Sequence, residues 1–210
     1  WLSRDTSHLS FTALRELTSL PIWCTRVLRG NLACRYAIFK YYRRRAHGVA
    51  KGLSAEARVA VWPSVSGQLQ AWLQHCAANV PVPIRPQPEA DVPTYVLYSD
   101  ASTAGWGGVL ITPTGEVHSG GSKWRTVHAS AAINELEARA VRHNLQRFAH
   151  LFPQESHVQI LIDNSSVVNR LKKGSAYAAL LNAQNLQILR LMGRTTLTFS
   201  LRRIDTLSNL

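Results

Sequence analysis

Residues 95–109, YVLYSDASTAGWGGV, constrain this chain more than any other stretch, because an apolar run ends abruptly at Asp100 and breaks into small residues and glycines. In a strand, Tyr95, Leu97 and Ser99 face one side and Val96 and Tyr98 the other, which leaves Asp100 at the C-terminal edge. A carboxylate held there is costly unless a cation meets it. Two more acids stand in comparable places: Glu137 within the helix-like AAINELEARAVRHNLQRF, and Asp163 at the end of the strand-like VQILIDNSS. Residues 94–210 are therefore expected to bring Asp100, Glu137 and Asp163 together around divalent metal. Singly, each acid has an ordinary role: Asp100 in a turn, Glu137 on a surface, Asp163 as an N-cap before Ser165. The expectation rests on their coincidence.

The order of elements around those acids predicts an α/β layer with a mixed sheet. Strand 95–99 leads to strand 106–111, a turn at Thr112-Pro113-Thr114-Gly115, and strand 116–121, an antiparallel meander. A helix over about 130–150 follows, with Ile133, Leu136, Ala140, Val141, Leu145 and Phe148 at helical spacing. Glu137 shares that face and Glu135 does not, so Glu137 is the candidate ligand. Strand 158–162, helices over 165–172 and 177–192, and strand 195–204 complete the pattern.

Upstream, residues 1–80 read as a small helical region. Helices are expected over 9–20, ended by Pro21, over 23–45, and from Ser54 with a break at Pro63, the pattern then resuming through Val65, Leu69, Trp72 and Leu73. Trp62 and Trp72 read as core rather than base-stacking residues. Arg43, Arg44 and Arg45 are either phosphate contacts or a solvated helix end whose cations oppose the macrodipole. Residues 81–93, PVPIRPQPEADVP, hold five prolines and read as a stiff linker and domain boundary.

Composition narrows the partner. Lys and Arg total 24 against 12 Asp and Glu, a net charge of +12, with 46% hydrophobic residues, so a core-forming chain carries a surface suited to a polyanion. Both parts share the excess: residues 1–93 hold 12 basic and 5 acidic residues, residues 94–210 hold 12 and 7. Cys24, Cys34 and Cys76 are odd in number and lack metal-ligand spacing, the pattern of buried free thiols in a reducing compartment. No apolar run reaches the length of a membrane span. The chain opens at Trp1 and stops in a polar stretch, so it is expected to be a piece of a longer polypeptide or larger complex.

Four blocks, SDASTAGWGGVL, INELEARA, IDNSSVVNRLKKGS and RRIDTLSNL, resemble the ribonuclease H domain of retroelement reverse transcriptases, most like those of tyrosine-recombinase retrotransposons. Residues 1–80 look like the thumb and connection region that precedes this domain. The resemblance implies a ribonuclease H-like fold with a five-stranded mixed sheet over 94–210 and cleavage of the RNA strand of RNA/DNA hybrids. It also implies two Mg²⁺ (or Mn²⁺) ions roughly 4 Å apart held by Asp100, Glu137 and Asp163. Asn134 and Asn164 are candidates to read ribose hydroxyls, or else to cap and turn the chain. Lys172, Lys173, Arg202 and Arg203 would lie against phosphates. The family's fourth carboxylate follows an N-x-A-D pattern, whereas this sequence stops at Ser208-Asn209-Leu210, Asp205 falls too early, and no histidine follows His157. The alternative expectation is a decayed or domesticated copy that binds structured RNA as a scaffold subunit of a ribonucleoprotein.

Overall fold

The computed structural model describes residues 5–27, 32–78, 94–125, 131–154, 156–173, 178–194 and 197–205, without the side chains of residues 26, 27, 193 and 194. The chain divides into two compact units, Trp1–Ile84 and Arg85–Leu210.

In the first unit a two-residue strand β1 (His8–Leu9) precedes helix α1 (Phe11–Val27), a 3₁₀ turn at Ala33–Arg35, helix α2 (Tyr36–Ala50), strand β2 (Val59–Ala60) and helix α3 (Pro63–Ala78). Ser10 starts α1 by accepting the amide of Ala13 on its hydroxyl at 3.1 Å. Contrary to expectation, Pro21 does not end this helix, which runs on for six residues. Contacts on both sides of the proline hold it: Leu14 and Leu17 are buried before it, and beyond it the Trp72 indole donates to Thr25 Oγ1 at 2.7 Å. Tertiary packing thus outweighs the lost backbone bond. The expected helix over 23–45 is correspondingly divided between the end of α1 and α2, and Arg43–Arg45 lie inside α2 rather than at a helix end. The left-handed Gly52 (φ 96°) ends the turn after α2. No helix starts at Ser54; Ala55 O instead accepts the amide of Phe11, Val61 N bonds Ser7 O, and the next helix waits for Pro63 at its first turn. Leu14, Leu17, Ile38, Val65, Leu69 and Trp72 form the core, with Trp62 packed against it.

The second unit contains strands β3 (Thr94–Ala101), β4 (Gly105–Ile111) and β5 (Val117–Lys123), helix α4 (Ile133–Arg147), a 3₁₀ turn at Ala149–Leu151, strand β6 (His157–Ile162), helices α5 (Ser165–Lys173) and α6 (Ala179–Arg194), and strand β7 (Thr198–Arg203). They build one five-stranded mixed sheet in the order β5-β4-β3-β6-β7. The β3–β4 and β4–β5 pairs are antiparallel, while β3–β6 and β6–β7 are parallel. The β4–β5 turn closes through Gly115 N on Thr112 O and uses φ 89° at Gly115. Tyr95, Leu97, Leu110, Val158, Ile160, Ile162 and Leu201 alternate along the strands onto one face and share a core with Val141 and Leu145 of α4, Val167 and Leu171 of α5, and Ile188 of α6. Ile133, expected on the inward face, is 47% exposed in the first turn of α4. Each of the three cysteines is half-buried rather than fully enclosed. No described helix is long and apolar enough to cross a membrane. The linker expected over 81–93 lies outside the described residues, as do Ser130, Tyr177 and Thr195, where boundaries were expected.

Candidate metal centre

Register places the first two acids. Tyr98 of β3 pairs with Leu161 of β6, and because these neighbouring strands run parallel, two further residues along each reach Asp100 and Asp163 at the same edge of the sheet. Glu137 arrives from α4, and two side-chain pins set its position. Asn144, seven residues on and thus two turns along the same helix face, donates from Nδ2 to Ser99 Oγ at 3.0 Å and to Gly107 O at 2.8 Å. Gly108 must lack a side chain here, since a Cβ would overlap the Asn144 amide. At the other end, Asn164 Nδ2 donates to Asn134 Oδ1 at 2.7 Å, tying the first turn of α4 to the segment that carries Asp163.

A carboxylate oxygen from each of Asp100, Glu137 and Asp163 lies within 4.8 Å of the others. Asp100 is exposed and its Oδ1 accepts the amide of Ala101 at 2.7 Å; Asp163 is half-buried; Glu137 is 4% exposed. Burial, then the charges of Asp100 and Asp163, push the Glu137 carboxyl up to about 8, so the metal-free protein holds a proton there at neutral pH. Among the described residues Glu137 Oε2 is buried without a hydrogen-bond partner. Three acids that would repel one another once all ionised, an all-oxygen donor set and an orphaned buried oxygen fit a hard divalent cation, which would remove the repulsion and give Oε2 its partner. Asp205, exposed beyond β7, and Glu135 are not among the clustered acids.

The other candidates separate by place. Asn164 caps α5 through its Oδ1, which accepts the amide of Val167 at 3.2 Å, so the cap expected of Asp163 falls one residue later. Both Asn134 and Asn164 are thus engaged in positioning the acids' supports. Arg202 and Arg203 pair with Leu161 and Ile162 and therefore share the edge from which Asp163 emerges; both are exposed. Lys172 and Lys173 are exposed in the last turn of α5. In the first unit, Arg43 Nε bonds Phe39 O at 3.2 Å, Arg44 lies 5.8 Å over the Trp62 ring, and Arg45 bonds Ala57 O at 3.3 Å. All three guanidiniums contact groups of their own unit. A groove of about 440 Å³ runs along the glycines of β4, bordered by Tyr98, Asp100, Trp106 and Lys123.

Sequence reasoning overlooked Asn144, Trp106, Trp124 and His143. Asn144 carried a usable signal, a polar residue seven positions after Glu137 on an otherwise apolar helix face.

The chain matches no family model and no curated protein. Among solved structures it is similar to ribonuclease H1 from the halophilic archaeon Halobacterium salinarum NRC-1, with 18% identity over 55% of this chain and 89% of that one and a TM-score of 0.47. It is also similar to the N-terminal ribonuclease H domain of rv2228c from Mycobacterium tuberculosis, solved as a fusion with maltose-binding protein (18% identity, 56% and 86% covered, TM-score 0.45). A third is LC11-RNase H1 in complex with an RNA/DNA hybrid (16% identity, 55% and 88% covered, TM-score 0.43). Identities this low and TM-scores below 0.5 add no weight to the site's own geometry.

Proposed function

We propose that the second unit is a divalent-metal-dependent endonuclease that cuts the RNA strand of RNA/DNA hybrids, as part of a retroelement-type reverse transcriptase. One observation carries the reading: two strand-end aspartates and a buried helix glutamate place their oxygens within 4.8 Å of one another. Asp100, Glu137 and Asp163 would hold Mg²⁺ or Mn²⁺. A divalent cation bound there would activate water and stabilise the leaving oxygen in displacement at a phosphodiester. The protein's own residues do the positioning. Asn144 and the Asn134–Asn164 pair hold α4 against β3 and the β6–α5 junction, so that Glu137 keeps its place beside two like charges. The exposed Arg202 and Arg203, on the edge that Asp163 leaves, are proposed to draw the phosphate backbone toward the acids, with Lys172 and Lys173 adding to the attraction. The retroelement context rests on the sequence blocks around the three acids.

The test is cleavage of a labelled RNA/DNA hybrid with Mg²⁺, comparing the natural sequence with Asp100→Asn. Cleavage of the RNA strand by the natural sequence alone supports the assignment. Equal cleavage by both, or by neither, removes it.

A further inference from the structure

Away from the carboxylates, aromatic and cationic side chains of the second unit gather where β4 and β5 meet α4. Trp106, near the start of β4, stacks on His143 of α4 with ring centroids 5.1 Å apart and planes at 16°. Trp124, just beyond β5, has its ring centroid 5.9 Å from the same imidazole, and the Arg139 guanidinium lies 5.0 Å over the Trp124 indole. A guanidinium only donates, so the 3.2 Å contact of Arg142 with His143 Nε2 makes that nitrogen an acceptor and leaves the imidazole a neutral plate. Burial and the neighbouring Arg142 and Arg139 charges favour the same neutral form.

This cluster is not part of the fold's interior. Trp106 and Trp124 belong to neither core cluster and stay half-exposed, whereas Trp72 is 1% exposed at the centre of the first unit. The Trp124 indole is nonetheless held in one orientation, because its N–H donates to Ser102 O at 2.8 Å in the turn that follows Asp100. Trp106 sits directly opposite Ala101 in the β3–β4 register. In backbone position the plates therefore begin one residue (about 3.4 Å) and one strand (about 5 Å) from Asp100, on the α4 face from which Glu137 arrives.

We propose that Trp106, His143, Trp124 and Arg139 form a stacking subsite for an unpaired or terminal nucleobase of a strand engaged at the acids. Every base has a π-face, and indoles already fixed in place give up little rotational freedom when a base docks. The guanidiniums add cation–π attraction and draw the strand's phosphates. A base inside a duplex is already covered on both faces, so the ligand is a single-stranded flank or a strand end. The nucleic-acid nature of that ligand rests on the nuclease reading of the triad, but its test requires no catalysis.

The probes are a fluorescein-labelled thymidine octanucleotide and the same backbone with abasic sites, titrated by anisotropy in EDTA at one fixed salt concentration. The natural sequence should bind the thymidine probe about tenfold more tightly than the abasic one, the scale of base–aromatic stacking. In the double variant Trp106→Leu, Trp124→Leu that preference should vanish while abasic affinity, set by the phosphates, stays within about twofold. Equal affinity of the natural sequence for both probes, or binding of neither, overturns the subsite, and neither result depends on whether the variant folds. A preference that survives in a double variant with native circular dichroism also overturns it. Absence of hybrid cleavage with the base preference retained would remove the nuclease reading and leave this subsite standing.

Discussion

The two units differ in whether they bury an acid. In the first, the buried polar groups are neutral, and several pair within the unit: Thr6 bonds Ser66 at 2.6 Å, Thr25 accepts from Trp72, and Tyr41 donates to Ala60 O at 3.1 Å, while Gln68 Oε1 is left without a partner among the described residues. Its described acids, Asp5, Glu16 and Glu56, remain on the surface. The second unit buries Glu137 beside two other carboxylates and leaves Oε2 without a partner among the described residues. A chain whose only task at that place was packing would gain from an apolar residue there, since an isolated buried acid opposes folding. Three acids, unlike one, concentrate that cost at a single point, where a bound cation would relieve it.

Several substitutions would break or sharpen this contrast. The largest expected effect is on activity. Asp163→Asn should lower hybrid cleavage by roughly a thousandfold or more, the scale of losing a preorganised charge at a reacting centre, while changing urea stability little. Single-turnover assays beside an unfolding curve would show whether the two effects separate. In the first unit, Trp72→Ala should cost about 3–5 kcal/mol by opening a cavity and orphaning Thr25. Magnesium-dependent protection of the second unit from proteolysis should survive that change, and its loss would show that the units do not act separately.

Asn144→Ala should destabilise the second unit by about 2–3 kcal/mol, because Ser99 and Gly107 lose a buried donor. It should also weaken Mg²⁺ binding, and Gly108→Ala should do likewise by displacing the same amide. Glu137→Gln should have a smaller, pH-dependent effect. Metal-free native protein retains a proton on Glu137 up to about 8, while the unfolded chain releases it near 4.5, so native stability falls as pH rises through that interval. The glutamine variant should lack this loss and melt higher than the natural sequence at pH 8, by about 1–3 kcal/mol, with the two converging near pH 4. Mg²⁺ binding by the natural sequence should release close to one proton at pH 7, measurable by calorimetry in buffers of different ionisation enthalpy. Least affected should be Arg44→Ala, within about 0.5 kcal/mol by urea unfolding, since its stacking on Trp62 is exposed.

The second unit was readable because its periods were clean. Alternation in Tyr95, Leu97 and Ser99, and the helical spacing of Leu136, Val141 and Leu145, match the observed core. The choice of Glu137 over Glu135 followed from that spacing, and only Glu137 joins the cluster. The first unit was harder to read, because Pro21 is a local helix-breaking signal that long-range contacts override. Ser54 failed as a helix start for a related reason: bonds from Phe11 and Val61 draw the surrounding backbone into other partnerships. The aromatic plates at Trp106 and Trp124 had no sequence signal, since their shared contact, His143, lies on a helix 19 residues or more away in the chain.

By itself the amino-acid order determined the element types of the second unit and which acids end its strands, because side-chain periodicity and strand ends are local properties. Only the tertiary structure decided that β3 and β6 lie side by side and parallel, which turns two strand ends separated by dozens of residues into one rim. It also decided, through Asn144 and the Asn134–Asn164 bond, how high α4 rides over the sheet. Electrostatic repulsion and the raised Glu137 proton affinity depend on distance, and distance between remote residues exists only once the sheet has closed.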